Sequence, residues 1–201
     1  MKKTLPAVLL VLALLTTVAA PAQELPKPTT GQTNGGFTTR SYDLVGVGSL
    51  QLRLPADWHD VFGRTVQLGV LVDEFNFHAQ NTNEFSVAMF VDHLTVEQVR
   101  DFNCRAELAK PGNEELPGAE EKSLNLVDIA GAEFSGCYFT LTDKSVTAAS
   151  ARPGEYKYLT HGFVKSGSLV INFRVVSNRA EGPERGRMLE VIKTARVLPK
   201  K

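Results

Sequence analysis

The stretch GEYKYLTHGFVKSGSLVINFRVV, Gly154–Val176, has the pattern of two β-strands joined by a short turn. Apolar and polar residues alternate on both sides of Ser166-Gly167, as expected for a half-buried hairpin. Glycine in the turn supplies the positive φ that two-residue hairpin turns need. The pattern therefore predicts a hairpin that turns at Ser166-Gly167 and places Lys165 opposite Ser168.

Pairing across this turn separates the side chains into two faces, because directly opposed residues share a face of a sheet. We expect the two strands of the hairpin to place one set of mostly apolar side chains in the core: Tyr158, Val164, Leu169, Ile171, Phe173 and Val175. The other face is mixed and carries His161 beside Asn172 and diagonal to Arg174. These three residues form a candidate binding face, which could hold an anion or use His161 as a general base. The alternative is a hydrogen-bonded row on the surface.

Strand patterns also precede this hairpin, and two of them lie in the first half of the chain. Residues 49–58, SLQLRLPADW, alternate leucine with polar residues up to Pro55 and predict a half-buried strand. Residues 65–72, TVQLGVLV, alternate in the same way and predict a second continuous strand.

Two helices are predicted in the second half of the chain. A capping box of Thr95 and Gln98 begins the first helix, and Pro111 is expected to end it. Pro183, at a favoured first helical position, begins the second helix. Its apolar stripe is predicted to consist of Met188, Leu189, Val191, Ile192 and Ala195. Runs of strands, a helix, more strands and a last helix describe an α+β fold, in which helices flank an antiparallel β-sheet.

The N-terminus, MKKTLPAVLLVLALLTTVAAPAQ, has the layout of a cleaved secretory signal peptide. Its apolar run is short for a membrane span, which needs roughly 20 residues. We expect a signal peptide over residues 1–22 with cleavage after Ala22; the alternative is an uncleaved anchor. Residues 23–39 are rich in proline and glycine and predict a flexible lead, and residues 40–201 are expected to form a single domain.

The balance of charge restricts the classes of partner. The chain has 22 basic and 22 acidic residues, without the basic footprint that nucleic-acid binding requires. It also lacks a polybasic segment that would hold it to anionic lipid. We therefore expect a periplasmic or secreted bacterial protein, with no nucleic-acid partner and no stable membrane anchor after cleavage.

Cys104 and Cys137 are the two cysteines of the chain. In an exported protein, an even pair suggests a disulfide. The alternative is two buried thiols that act as small apolar side chains. The sequence leaves both possibilities open, because a disulfide depends on geometry.

Motifs for catalysis, metal binding and cofactor binding are missing from the sequence. It contains no G-x-S-x-G turn, no C-x-x-C pair and no H-E-x-x-H helix. His78 and Glu84 could meet across the polar loop between them, but a metal there is not expected. We predict no cofactor, no metal and no catalytic residue.

The assembled pattern resembles the PsbP-like domain family, which includes the photosystem II extrinsic protein and DcrB-like envelope proteins. The segments that carry the likeness are LQLRLPADW, GCYFTLTD, GEYKYLTHGFVKSGSLVINF and MLEVIKTARV. The likeness as a whole covers about Ser41–Val197. The resemblance implies an α/β/α sandwich with an antiparallel sheet between helices. It also implies a mostly non-catalytic protein that acts through binding surfaces or assembly.

These observations favour an exported, non-enzymatic envelope protein that binds a protein or another envelope component. One alternative is a carrier of a small apolar ligand, held in a groove between sheet and helix. Another is a hydrolase that uses His161 with an acidic partner from a loop. A fold alone does not decide among them.

Overall fold

Antiparallel β-strands dominate the computed structural model, which describes residues 27–44, 46–67, 70–79, 84–179 and 183–200. The strands are β1 (Thr29–Asn34), β2 (Phe37–Leu44), β3 (Gly48–Pro55), β4 (Trp58–Gln67), β5 (Val70–Ala79), β6 (Phe85–His93), β7 (Val127–Ala130), β8 (Ser135–Thr142), β9 (Tyr158–Ser166), β10 (Leu169–Ser177) and β11 (Arg196–Pro199). The α-helices are α1 (Val96–Asp101), α2 (Cys104–Glu115) and α3 (Pro183–Thr194). The predicted signal peptide, residues 1–22, and its cleavage site after Ala22 lie outside the described residues.

The strands form two sheets in which each described neighbouring pair is antiparallel. The larger sheet has the order β4-β5-β6-β10-β9-β8-β7, and the smaller has the order β1-β2-β3-β11. A two-residue turn, Ala56-Asp57, joins β3 to β4 and so links the two sheets. The single residue Ala195 separates α3 from β11, which returns the end of the chain to the smaller sheet.

The main core lies between the inner face of the larger sheet, the smaller sheet and α3. Leu50, Leu52 and Leu54 of β3 are fully buried, which confirms the predicted alternation. They belong to the same cluster as Phe75 and Phe173 of the larger sheet. The predicted apolar stripe of the last helix also enters this cluster, through Met188, Val191, Ile192 and Ala195.

The outer face of the larger sheet carries α2, which packs on β8 and β9. Leu108 is buried there with Cys137, Phe139 and Leu141 in a second apolar cluster. A Cβ atom at Gly112 would lie 2.6 Å from Leu124 Cδ2, so glycine lets the helix approach this cluster closely.

The predicted fold class, an antiparallel sheet flanked by helices, is wrong for one of the two flanking layers. The layer that packs on the inner face of the larger sheet consists mostly of the four-stranded sheet, and α3 fills the rest. The protein is therefore an antiparallel β structure with few helices, rather than a sheet sandwiched between helical layers. The difference arises because residues 29–44 form strands and supply half of the second sheet.

The predicted flexible lead, residues 23–39, is wrong over residues 29–39. These residues form β1 and the start of β2, with Asn34 opposite Phe37 across Gly35-Gly36. Both glycines have positive φ, 60° and 76°, as a type I′ hairpin turn requires. Threonines flank this turn and favour extended backbone. Every residue of β1 is exposed. Backbone pairing with β2, rather than burial of side chains, therefore holds β1 in place.

The hairpin of β9 and β10 forms, but its turn is displaced by one residue from the prediction. Gly167-Ser168 makes the turn, with Leu169 opposite Ser166, and Gly167 has a φ of 55°. Each pairing therefore shifts by two positions, and a shift of two preserves the face of every side chain. The predicted core face is confirmed for Val164, Leu169, Ile171, Phe173 and Val175, which are buried, while Tyr158 is half-buried.

Two further predictions are wrong. Residues 65–72 do not form one strand, because β4 ends at Gln67 and β5 begins at Val70. Pro111 does not end a helix that began at the confirmed Thr95 capping box. That helix, α1, already stops at Asp101, and Pro111 lies inside α2, which has its own N-cap at Asn103.

Candidate functional site

The three residues of the predicted binding face lie on β9 and β10, on the outer face of the larger sheet. Arg174 is directly opposite His161, and Asn172 is the diagonal neighbour, which reverses the predicted arrangement. The His161 Nε2 atom nevertheless lies 2.9 Å from Asn172 Oδ1. Because an amide oxygen accepts, Nε2 is the donor in this hydrogen bond. The structure therefore joins His161 to Asn172 and leaves Arg174 to another partner.

His161 is shielded from solvent between two aromatic rings. His161 is only 8% exposed. The centre of its imidazole ring lies 5.6 Å from the centre of the Phe139 ring and 5.7 Å from that of the Phe163 ring. Burial lowers the pKa of His161. The hydrogen bond to Asn172 opposes this effect in part, and the positive charge of Arg174 adds a smaller lowering effect. The net effect favours the neutral imidazole, which has no carboxylate partner among the described residues.

Arg174 borders an open groove of about 500 Å³ at one end of α2. Its Nη2 atom lies 3.1 Å from Glu115 Oε1, at the C-terminal end of that helix. The floor of this Arg174 groove is apolar and includes Leu141, Leu159 and Val176. The other cation at its rim, Lys157, is paired with Glu120 at 2.5 Å. Both basic groups of the groove are therefore already neutralised by acidic neighbours.

A second open groove, of about 490 Å³, lies between α1, the start of α2 and the outer face of the larger sheet. Its apolar lining consists of Leu94, Phe102, Phe163 and Val170, and its acidic lining consists of Asp92, Glu97, Asp101 and Glu107. Among the residues that the structure describes, none with a basic side chain lines this Phe163 groove. Burial raises the pKa of the Asp92 carboxyl, which is half-buried at the groove wall. The two grooves on this face thus differ in charge.

A disulfide fixes the helix that separates the two grooves. Cys104, the first residue of α2, is bonded to Cys137 in β8, with a Cα–Cα distance of 6.0 Å. This decides between the two possibilities that the sequence left open. The bond holds the N-terminal end of α2 against β8, while Leu108 packs along the next turn.

Two further findings concern metal binding and membrane insertion in the described ranges. No group of three or more histidine, cysteine or carboxylate side chains is placed to hold a metal ion there. None of the described helices is long and apolar enough to cross a membrane.

No protein-family model and no curated protein matches the sequence. Among solved structures, the chain is similar to the solution structure of cyanobacterial PsbP (CyanoP) from Synechocystis sp. PCC 6803. The two are 13% identical, with a TM-score of 0.47, over 84% of this chain and 98% of that one. No family assignment follows from these values.

The residues that line the Phe163 groove were missed by the sequence analysis. Phe102 and Glu107 lie in what was predicted to be one continuous helix, whereas the chain bends at Phe102-Asn103. Asn103 was the available signal, because asparagine is a favoured N-cap and its side chain accepts from Arg105 N and Ala106 N.

Proposed function

We propose that the protein is an exported, non-enzymatic binding protein with a PsbP-like domain. It holds a protein or another envelope component against the outer face of its larger sheet. The observation that carries this proposal is the pair of open grooves on either side of α2, each with an apolar floor and a charged rim. Surfaces of this kind are typical of contacts between macromolecules.

The disulfide supports the exported location. Disulfides persist in oxidising compartments such as the periplasm and are rare in the cytosol. The Cys104–Cys137 bond fixes α2, the helix that both grooves border. An oxidising compartment would therefore preserve the shape of the proposed binding surface.

The geometry favours this function over the two alternatives. A hydrolase would need His161 to reach a substrate, whereas its ring is buried between Phe139 and Phe163. A carrier of an apolar ligand would need a pocket that encloses most of the ligand surface. The grooves beside α2 are open and mix polar with apolar lining residues.

Site-specific photocrosslinking in bacterial cells tests the proposal. A photoreactive amino acid replaces Gln98, which lines the Phe163 groove, or Glu114, which is exposed on α2 outside both grooves. We expect a discrete, stoichiometric adduct from position 98 and none from position 114. Equal labelling from positions 98 and 114 would contradict the proposal. The absence of an adduct at both position 98 and Val146, which lines the other groove, would also contradict it.

A further inference from the structure

His59 and His78 stand directly opposite each other on β4 and β5. Their ring centres are 5.9 Å apart, and the two ring planes are inclined by 32°. Both residues are exposed, and directly opposed residues share a face, so both imidazoles project from the same side of the hairpin. The two histidines are 19 positions apart in the sequence, a spacing that gave no indication of this juxtaposition.

Neither imidazole is engaged elsewhere in the described part of the chain. The predicted neighbour of His78, Glu84, instead forms an ion pair with Arg179. His161 differs from this pair, because it is buried and bonded to Asn172. Two exposed ring systems that face each other without another partner are available for a shared ligand.

The separation of the rings suits one transition-metal ion. With metal–nitrogen bonds of about 2.0–2.1 Å, the ring centres of two imidazoles on one ion lie roughly 4.5 Å apart at cis positions and roughly 6.4 Å apart at trans positions, and the observed 5.9 Å falls within this range. Rotation of the two exposed side chains would bring one nitrogen of each ring to the ion. Water would fill the remaining positions, because the described residues offer no third histidine, cysteine or carboxylate ligand there.

We propose that His59 and His78 form a surface site for one Cu²⁺ ion. Imidazole nitrogen suits copper, zinc and nickel, and Cu²⁺ binds most tightly to a given set of nitrogen ligands among the divalent first-row metals. Mg²⁺ and Ca²⁺ prefer oxygen ligands and are excluded by this chemistry. The ion would bridge β4 and β5, so its binding stabilises the folded state. This site is independent of the grooves beside α2.

Copper titration of the untagged protein tests the site. We expect one Cu²⁺ per chain, with weaker binding of Zn²⁺ and none of Mg²⁺. Substoichiometric Cu²⁺ should broaden the imidazole NMR resonances of His59 and His78 before those of His93 and His161. His59→Gln and His78→Gln should each weaken Cu²⁺ binding by about tenfold or more, because either change leaves a single ligand.

His93→Gln is the matched control, since it also removes one histidine but lies outside the pair. Far-UV circular dichroism of each variant establishes that it is folded. Unchanged Cu²⁺ affinity in His59→Gln, or an equal loss of affinity in His93→Gln, would show that copper binds elsewhere and would overturn the inference.

Discussion

His161 and Arg174 are directly opposed across β9 and β10, yet the His161 imidazole bonds to Asn172, its diagonal neighbour. The guanidinium of Arg174 turns to Glu115 on α2. His161 is thus buried and contributes to packing on the outer face of the sheet. Arg174 instead lies at the rim of the Arg174 groove, where it pairs with the end of α2.

This arrangement predicts that His161 makes stability depend on pH. Burial lowers its pKa in the folded protein below the ordinary value of about 6.5 in the unfolded chain. As the pH falls below that value, the unfolded state takes up the proton first, so stability is lost until the folded pKa is reached. Urea unfolding at pH 7.5 and 5.5 should show a larger loss for the wild type than for His161→Gln.

His161→Gln is the appropriate comparison because glutamine can still donate to Asn172 but does not titrate. The pKa of His93 is also lowered by burial, but its contribution is common to both proteins and cancels. Parallel loss of stability in the two proteins between these pH values would show that His161 is not a source of the pH dependence.

The disulfide should contribute a large share of stability. It joins residues 33 positions apart, and closing a loop of this length is worth about 4 kcal/mol in the chain-entropy model. Refolding in a reducing agent should lower the urea midpoint of the wild type. A Cys104→Ala, Cys137→Ala double variant should unfold at that lower midpoint with or without the reducing agent. A wild-type midpoint that is indifferent to reduction would contradict the prediction.

Local signals predicted the elements whose burial follows a simple period. The leucines of β3, the stripe of α3 and the capping box at Thr95 are all confirmed. The faces of β9 and β10 were also predicted correctly, because an error of two positions in pairing leaves every side chain on its original face. Partner choice was not predictable, since the pairing of β3 with β11 joins residues about 150 positions apart.

The wrong predictions lie at turns and bends of the chain, whose positions depend on turn residues and not on hydrophobic periodicity. Asn34-Gly35-Gly36 is a strong hairpin signal, but the surrounding prolines and glycines suggested a flexible lead. Residues 65–72 alternate without interruption, so their division between β4 and β5 was hidden by a pattern that suits one strand equally well. The grooves beside α2 depend on the bend at Phe102, which alternation and helical period do not encode.

Asn103 should stabilise the start of α2 through its side chain. Its Oδ1 atom accepts from Arg105 N at 3.0 Å and from Ala106 N at 3.2 Å. Asn103→Ala removes this cap and should lower the unfolding free energy by about 1 kcal/mol, whereas Asn103→Asp should retain it. Thermal and urea unfolding measure the difference. Equal destabilisation by both substitutions would indicate that capping is not the role of this side chain.

Gly162 makes room for the Phe173 ring in the core. A Cβ atom at Gly162 would lie 2.3 Å from Phe173 Cζ and 2.8 Å from Tyr138 Cβ, far inside normal contact distances. Gly162→Ala should therefore cost about 1–3 kcal/mol by overpacking. Gly63→Ala is the matched control, because nothing lies within 4 Å of its Cβ position, and it should change stability by less than about 0.5 kcal/mol. If the clash is the cause, Phe173→Leu should cost less in the Gly162→Ala background than in the wild type, a coupling that urea unfolding of the four proteins measures directly.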